Sequence, residues 1–191
     1  MNIEKRGITT SEDHEKVEKK ESFTSSIILL DGSKGSGKTT VGKLLEKKIL
    51  NVDYLSLDEI RRAIPDAKAT AHFNQLAFDE LLGKLHRAIS EGNIAIIDCG
   101  LTKEKLDTLE IAVATLGVKM HKYSLSTSPE ILIDRVKQRD LRQGKRTDKE
   151  RFDYVYKLQQ AKEFNDYTTI DTQSSSPDEI VGEIITALNK E

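Results

Sequence analysis

Eight residues constrain this 191-residue chain more than any others: Gly32-Ser-Lys-Gly-Ser-Gly37-Lys38-Thr39. They lie between Ser26–Asp31, an apolar run that suits a strand buried on both faces, and Lys38–Ile49. In the latter, Val41, Leu44, Leu45 and Ile49 recur at helical spacing. Glycines between a strand and a helix let the backbone turn tightly and aim successive N–H groups inward. The helix start adds unpaired N–H groups and the positive end of its dipole. That is an anion cradle, and G-x-x-x-x-G-K-[ST] is the spacing of a phosphate loop. Gly32, Ser33, Lys34, Gly35, Ser36, Gly37, Lys38, Thr39 and Thr40 are therefore the candidate ligands of MgATP. Lys38 is expected to reach the β- and γ-phosphates and Thr39 to hold Mg²⁺. The loop pattern leaves the residue type at Lys34 open, with reach over the γ-phosphate. A ligand-free Gly/Ser turn is the bland alternative, and the flanking strand and helix argue against it.

Downstream, strands and helices alternate. Val52–Leu57 reads as a second strand, Ala71–Ser90 as a long helix stopped by Gly92, and Asn93–Asp98 as a third strand. Thr102 can cap a helix to Leu116, closed by Gly117, before a fourth strand over Val118–Leu125. Ser128-Pro129 opens a helix to about Leu141. Thr147-Asp-Lys-Glu150 and Ser176-Pro-Asp-Glu179 both fit a reciprocal capping box, with a fifth strand over Tyr167–Ile170 between them. The pattern predicts an α/β fold with a five-stranded, mostly parallel sheet and right-handed crossovers, with neither a repeat nor a second domain.

The third strand ends in Ile94-Ala-Ile-Ile-Asp98. An aspartate there suits a carboxylate that holds a Mg²⁺-bound water or a substrate group. No glutamate follows it to activate water, a guanine-reading Asn-Lys-x-Asp is missing, and so is a Leu-Ser-Gly-Gly run. These absences point away from motors, GTPases and transport ATPases, toward transfer to a bound acceptor. Just after strand two, Asp58 and Arg61 share one face of an incipient helix at the sheet edge where ligands sit in open α/β folds. A base near an acceptor hydroxyl and a cation beside it is what kinase chemistry uses, with a capping Asp58 and a surface Arg61 as the plain alternative.

Gly32–Thr39 followed by Asp58-Glu-Ile-Arg61 resembles the small-molecule and polynucleotide kinase group of P-loop proteins. That group includes polynucleotide 5′-hydroxyl kinase, zeta-type toxins, adenylylsulfate kinase, gluconate kinase and chloramphenicol phosphotransferase. The resemblance covers about Ile27 to the C-terminus and implies a three-layer P-loop NTPase fold with a helical lid. It implies Asp58 as catalytic base, Arg61 as an acceptor-side clamp, and a hydroxyl of a small molecule or nucleotide as acceptor. The chain departs from two members: Ala69–Leu82 lacks the Asp-Arg-centred motif of adenylylsulfate kinases, and the histidine-bearing pattern of gluconate kinases is missing. Acceptor identity stays open.

From Arg135 to Arg151 eight bases face three acids, a local charge of +5 in a chain of net charge −2. Arg135, Arg139 and Arg142 fall on one helix face, and Gly144 separates that helix from the next, the layout of a hinged lid. In the kinases it resembles, such a face packs on adenine (here Arg135) and clamps phosphates (Arg139) as water is excluded. A solvated basic face is the bland reading. Phe152, Tyr154 and Tyr156 lie just beyond and could stack on bases, so nucleic acid is a further, less favoured partner, with polynucleotide 5′-hydroxyl kinase as the second reading. An ATP-binding regulatory module with slow hydrolysis is the third. Net charge argues mildly against coating nucleic acid.

Residues 1–22 alternate acids and bases without an apolar stripe and read as a disordered charged tail, or a marginal helix, ahead of a single domain over 23–191. The longest apolar runs, Ile27–Leu30 and Ile94–Ile97, are too short to span a membrane, and no secretory leader is visible. Lone Cys99 has no partner for an intrachain disulfide and suits a reducing cytoplasm. His14, His72, His86 and His121 show no metal spacing and read as structural, and Thr102 is explained by capping.

Overall fold

The computed structural model describes residues 20–66, 68, 70–160 and 166–190. Most of the charged tail, residues 1–19, lies outside the described residues. Its end is not: Glu21 bridges Ile49 in parallel fashion, and Asn189 Nδ2 donates to its carboxylate at 3.0 Å.

Five strands form one parallel sheet: β1 (Ile27–Asp31), β2 (Val52–Ser56), β3 (Ile94–Asp98), β4 (Met120–Ser126) and β5 (Thr168–Asp171), in the order β2-β3-β1-β4-β5. Every residue of β1 and β3 is buried. Their unbroken apolar runs are what a strand covered on both faces needs. Successive side chains leave opposite faces. Ile28 and Leu30 join a core with α1 (Lys38–Lys48) and α7 (Pro177–Leu188). Ile27 and Leu29 join a second core with α3 (Ala71–Ser90) and α4 (Lys103–Leu116). The result is the five-stranded parallel sheet that the alternation predicts, within the three-layer architecture that the resemblance implies.

Three helix starts follow their caps, whereas Thr102 stands at the N-cap of α4 without a side-chain cap hydrogen bond. Thr70 caps α3, Ser128 caps α5 (Pro129–Arg142), and Ser176 with Glu179 closes a complete capping box on α7. The expected box at Thr147 does not form. Asp148 caps α6 (Lys149–Gln160), accepting from the Arg151 N–H at 2.9 Å, while Thr147 donates its hydroxyl to Asp140 at 3.1 Å. A buried carboxylate seven residues upstream outcompetes the local cap because it needs donors more. Leu57 likewise leaves the second strand and opens a short helix, α2 (Leu57–Ala63), capped by Ser56.

Parallel register sets Ser56 and Leu30 level with Asp98, and Asp31 level with Ser124. The chain reverses sides of the sheet at β1, which lies between β3 and β4, so the crevice for a ligand opens beyond these carboxyl ends. No helix among the described residues is long and apolar enough to cross a membrane.

Candidate active site

The loop after β1 has the strained backbone its sequence demands. Gly32, Gly35 and Gly37 hold φ of 142°, 94° and 100°, values that L side chains rarely adopt. A Cβ on Gly35 would also lie 2.8 Å from the Leu132 carbonyl of α5, so the loop is braced against that helix. Gly37 is the N-cap of α1 and offers no side chain to it, and the first turn carries no acid. The orphan amides of that turn are left for an outside anion. Ser36 Oγ is buried in the loop with no hydrogen-bond partner among the described residues, and buried hydroxyls seldom stay so without a ligand to meet. Lys38 Nζ donates back to the Gly32 and Ser33 carbonyls at 2.8 and 3.2 Å.

Thr39 and Asp98, fifty-nine residues apart, meet. Thr39 Oγ1 donates to Asp98 Oδ2 at 2.7 Å, and the Tyr54 hydroxyl donates to the same oxygen at 2.6 Å. Burial, with the Asp98 hydrogen bond, pushes the Tyr54 phenol well up, so it stays a donor. The ring rests on the backbone of α1, where a Cβ on Gly42 would come within 2.5 Å of Tyr54 Cε2. Two oxygen donors beside a phosphate cradle suit a small hard cation that keeps its other positions for phosphate and water. Among the described residues no group of three or more His, Cys, Asp or Glu side chains gathers to hold a metal without such help.

Asp58 and Arg61 pair as their spacing implies. Arg61 Nη2 donates to Asp58 Oδ1 at 2.8 Å, and its Nη1 donates to Asn74 Oδ1 at 2.9 Å. Asp58 is exposed to the cleft, while Arg61 is half-buried beneath α3. Lys105, at the start of α4, reaches the Asn74 backbone oxygen at 2.8 Å.

The basic stretch forms an arm, α5 and α6 joined by a turn at Gly144 (φ 65°) and by a small core of Leu132, Val136 and Phe152. Phe152 stacks on Tyr156 at 6.2 Å inside that core, so it is packing rather than a platform for bases, and Tyr154 is exposed. The three arginines of one face separate at their tips. Arg135 grips Thr172 after β5 (3.0 Å to Oγ1, 2.8 Å to the carbonyl), Arg139 meets Asp140 at 3.2 Å, and Arg142 turns to the Gln138 carbonyl. Burial alone would raise the Asp140 carboxyl, but hydrogen bonds from Arg139 and Thr147 and the nearby Lys34 hold it below the usual range. Lys34 is pushed down by burial and then by Arg139.

Lys34, Lys38, Thr39, Thr40, Asp58, Arg61, Asp98, Arg135 and Arg139 thus all line one cleft of about 2420 Å³. Sequence reasoning missed Tyr54, Asn74, Lys105 and Asp140. Only Asp140, inside the singled-out basic run, carried a sequence signal.

The chain is similar to known proteins. Residues 27–160 match the family model described as an AAA domain. A shikimate kinase from Lactococcus lactis subsp. lactis (strain IL1403) is 31% identical over 163 residues, 82% of this chain and 94% of that protein. An APS kinase from Mycobacterium tuberculosis, solved with AMPPNP and APS, superposes with a TM-score of 0.65 at 18% identity, covering 87% of this chain and 98% of its own. A gluconokinase from Sinorhizobium meliloti 1021 gives 0.64 at 17%, covering 89% and 94%. At such identity these two structures show a shared fold alone. The family match and the shikimate kinase show more: the chain belongs to this AAA-domain family of P-loop kinases.

Proposed function

We propose that this member of the P-loop kinase family transfers the γ-phosphoryl of MgATP to a hydroxyl of a small molecule or nucleotide, in the cytoplasm. One observation carries the reading. An uncapped helix start with a partnerless buried hydroxyl (Ser36) and a joined Thr39–Asp98 pair shares one cleft with the exposed Asp58 carboxylate. The loop amides and Lys38 hold the triphosphate. Asp58 orients the acceptor hydroxyl and takes its proton as the oxygen bonds to the γ-phosphorus and the bond to the ADP oxygen breaks. Arg139 and Lys34 offset charge spread over the transferring group. Thr39 and Asp98 would hold Mg²⁺, which supplies charge neutralisation at the phosphates. Arg135, tied to Thr172, would border the base.

Arg139, Arg142, Lys145, Arg146 and Arg151 line the same cleft and favour, as second reading, a polynucleotide 5′-hydroxyl acceptor. ATP consumption by the purified chain against a panel of hydroxyl acceptors, including shikimate and a 5′-hydroxyl oligonucleotide, tests both. Transfer to one acceptor, abolished in Lys38→Ala and Asp58→Asn, supports the kinase. A steep salt dependence of acceptor binding selects the polynucleotide. ATP binding with no transfer across a broad panel would leave a slow ATP-dependent regulator instead.

A further inference from the structure

Two half-buried lysines of this chain have been treated in opposite ways. Lys122 on β4 lies 5.5 Å from the Tyr167 ring centroid and is paired with both Glu110, at 2.7 Å, and Asp166. Burial alone would lower it, but these hydrogen bonds and charges raise its affinity for the proton. Lys105 sits over another ring, 4.9 Å from the Phe78 centroid, yet among the described residues its one hydrogen bond goes to a neutral acceptor, the Asn74 carbonyl. Among the described residues no carboxylate lies within ion-pair distance of it. Burial pushes its pKa down, and the partial offset from Asp79 does not restore it; the Asp79 carboxylate accepts from Gln75 instead. A desolvated cation without a counter-ion is unfavourable unless something supplies the missing charge.

Lys122 stands behind Glu110 and Asp166, which line the cleft, whereas Lys105 lines the cleft itself. Asn74 then ties Lys105 to the acceptor wall. Its backbone oxygen takes Lys105 and its side-chain oxygen takes Arg61, whose other amino group holds Asp58. We infer that Lys105, with Arg61, is the anion-reading pair of the acceptor subsite, so that the acceptor is a compact alcohol carrying its own carboxylate or similar anion. The inference rests on the kinase reading. It adds that Asp58 handles the hydroxyl end and Lys105 the anionic end of one small skeleton, with Asn74 and the Arg61 guanidinium between them.

The test is calorimetric titration of the full chain saturated with AMPPNP, which occupies the phosphate loop and keeps the anion from binding there. The titrants are shikimate, D-gluconate and sulfate, with methyl shikimate and sorbitol as uncharged counterparts. One or more of the anions is expected to bind at a one-to-one ratio, and its uncharged counterpart at least tenfold more weakly. Lys105→Met should weaken that anion at least tenfold and leave AMPPNP affinity within twofold, while Lys105→Arg recovers most of the loss. Binding of none of the anions, equal binding of charged and uncharged compounds, or an unchanged anion affinity in Lys105→Met would each overturn the inference. Failure of AMPPNP to bind at all would instead strike the kinase reading.

Discussion

The two walls of the cleft are built by different means. The phosphate wall consists of strand ends and glycine backbone, and it stands on β1 and β3, where every residue is buried. The facing wall stands on α2, which buries no residue, and on an arm whose own core has three buried members. Leu57 and Ile60 pack at the margin of the second core, and the rest of what holds the facing wall is polar: the chain Asp58–Arg61–Asn74–Lys105 and the bonds that converge on Asp140. Such contacts are individually worth little next to a packed core and can open at small cost. The phosphate wall is therefore fixed by folding itself. The facing wall rests on contacts that can rearrange, as the proposed closure over a substrate would require.

Breaking each wall should give distinct losses. The largest is expected at Lys38→Ala, which removes the charge proposed to stand beside the transferring group. Turnover should fall by about 10³-fold or more while the circular dichroism spectrum and melting temperature hold. Asp58→Asn should cost roughly 10²–10⁴-fold in kcat with ATP affinity preserved, read by acceptor-dependent ADP formation and nucleotide titration. Loss of ATP binding in that variant would mean the two walls are not separable.

A smaller effect is expected at Asp140→Asn, about 1–3 kcal/mol of stability at neutral pH, because Arg139 and Thr147 lose a charged acceptor. The sign with pH follows from the carboxyl being held below its usual range. The stabilisation is full above the unfolded carboxyl pKa and disappears as pH falls through the lower folded value. Chemical denaturation from pH 7 down to pH 3 should show the wild-type advantage over Asp140→Asn shrinking on the acid side. An advantage independent of pH would contradict the charged hub. Smallest of the four is Tyr54→Phe, which withdraws one hydrogen bond from Asp98 and should cost about 1 kcal/mol, seen as a several-fold higher magnesium requirement at unchanged acceptor KM. An altered acceptor KM would place Tyr54 in the wrong wall.

The phosphate wall was also the legible one. Its strand, loop and helix are contiguous, so residues 26–49 carry their own geometry, and Asp98 announces itself by ending an apolar run. Asp58 and Arg61 were legible because three residues make one helix face. Tyr54 was not: the register of β2 on β3 brings it to Asp98 from 44 residues away, and no local pattern encodes a strand order of β2-β3-β1-β4-β5. Asn74 and Lys105 stayed hidden for the same reason, since they meet only where α3 and α4 pack. At Thr147 a local rule was read correctly and overruled by Asp140, whose burial is a tertiary fact.

Gly42, midway along the helix that carries the phosphate loop, has a practical consequence. Replacing a helical glycine with alanine is a standard route to a more robust protein, with a gain of up to about 1 kcal/mol. Here the added methyl would meet the Tyr54 ring at 2.5 Å. The overlap with a packed ring outweighs that gain, so a screen on melting temperature would reject the exchange that helix propensity recommends. In this helix the missing methyl is the space in which an aromatic side chain stands close enough to hold a carboxylate.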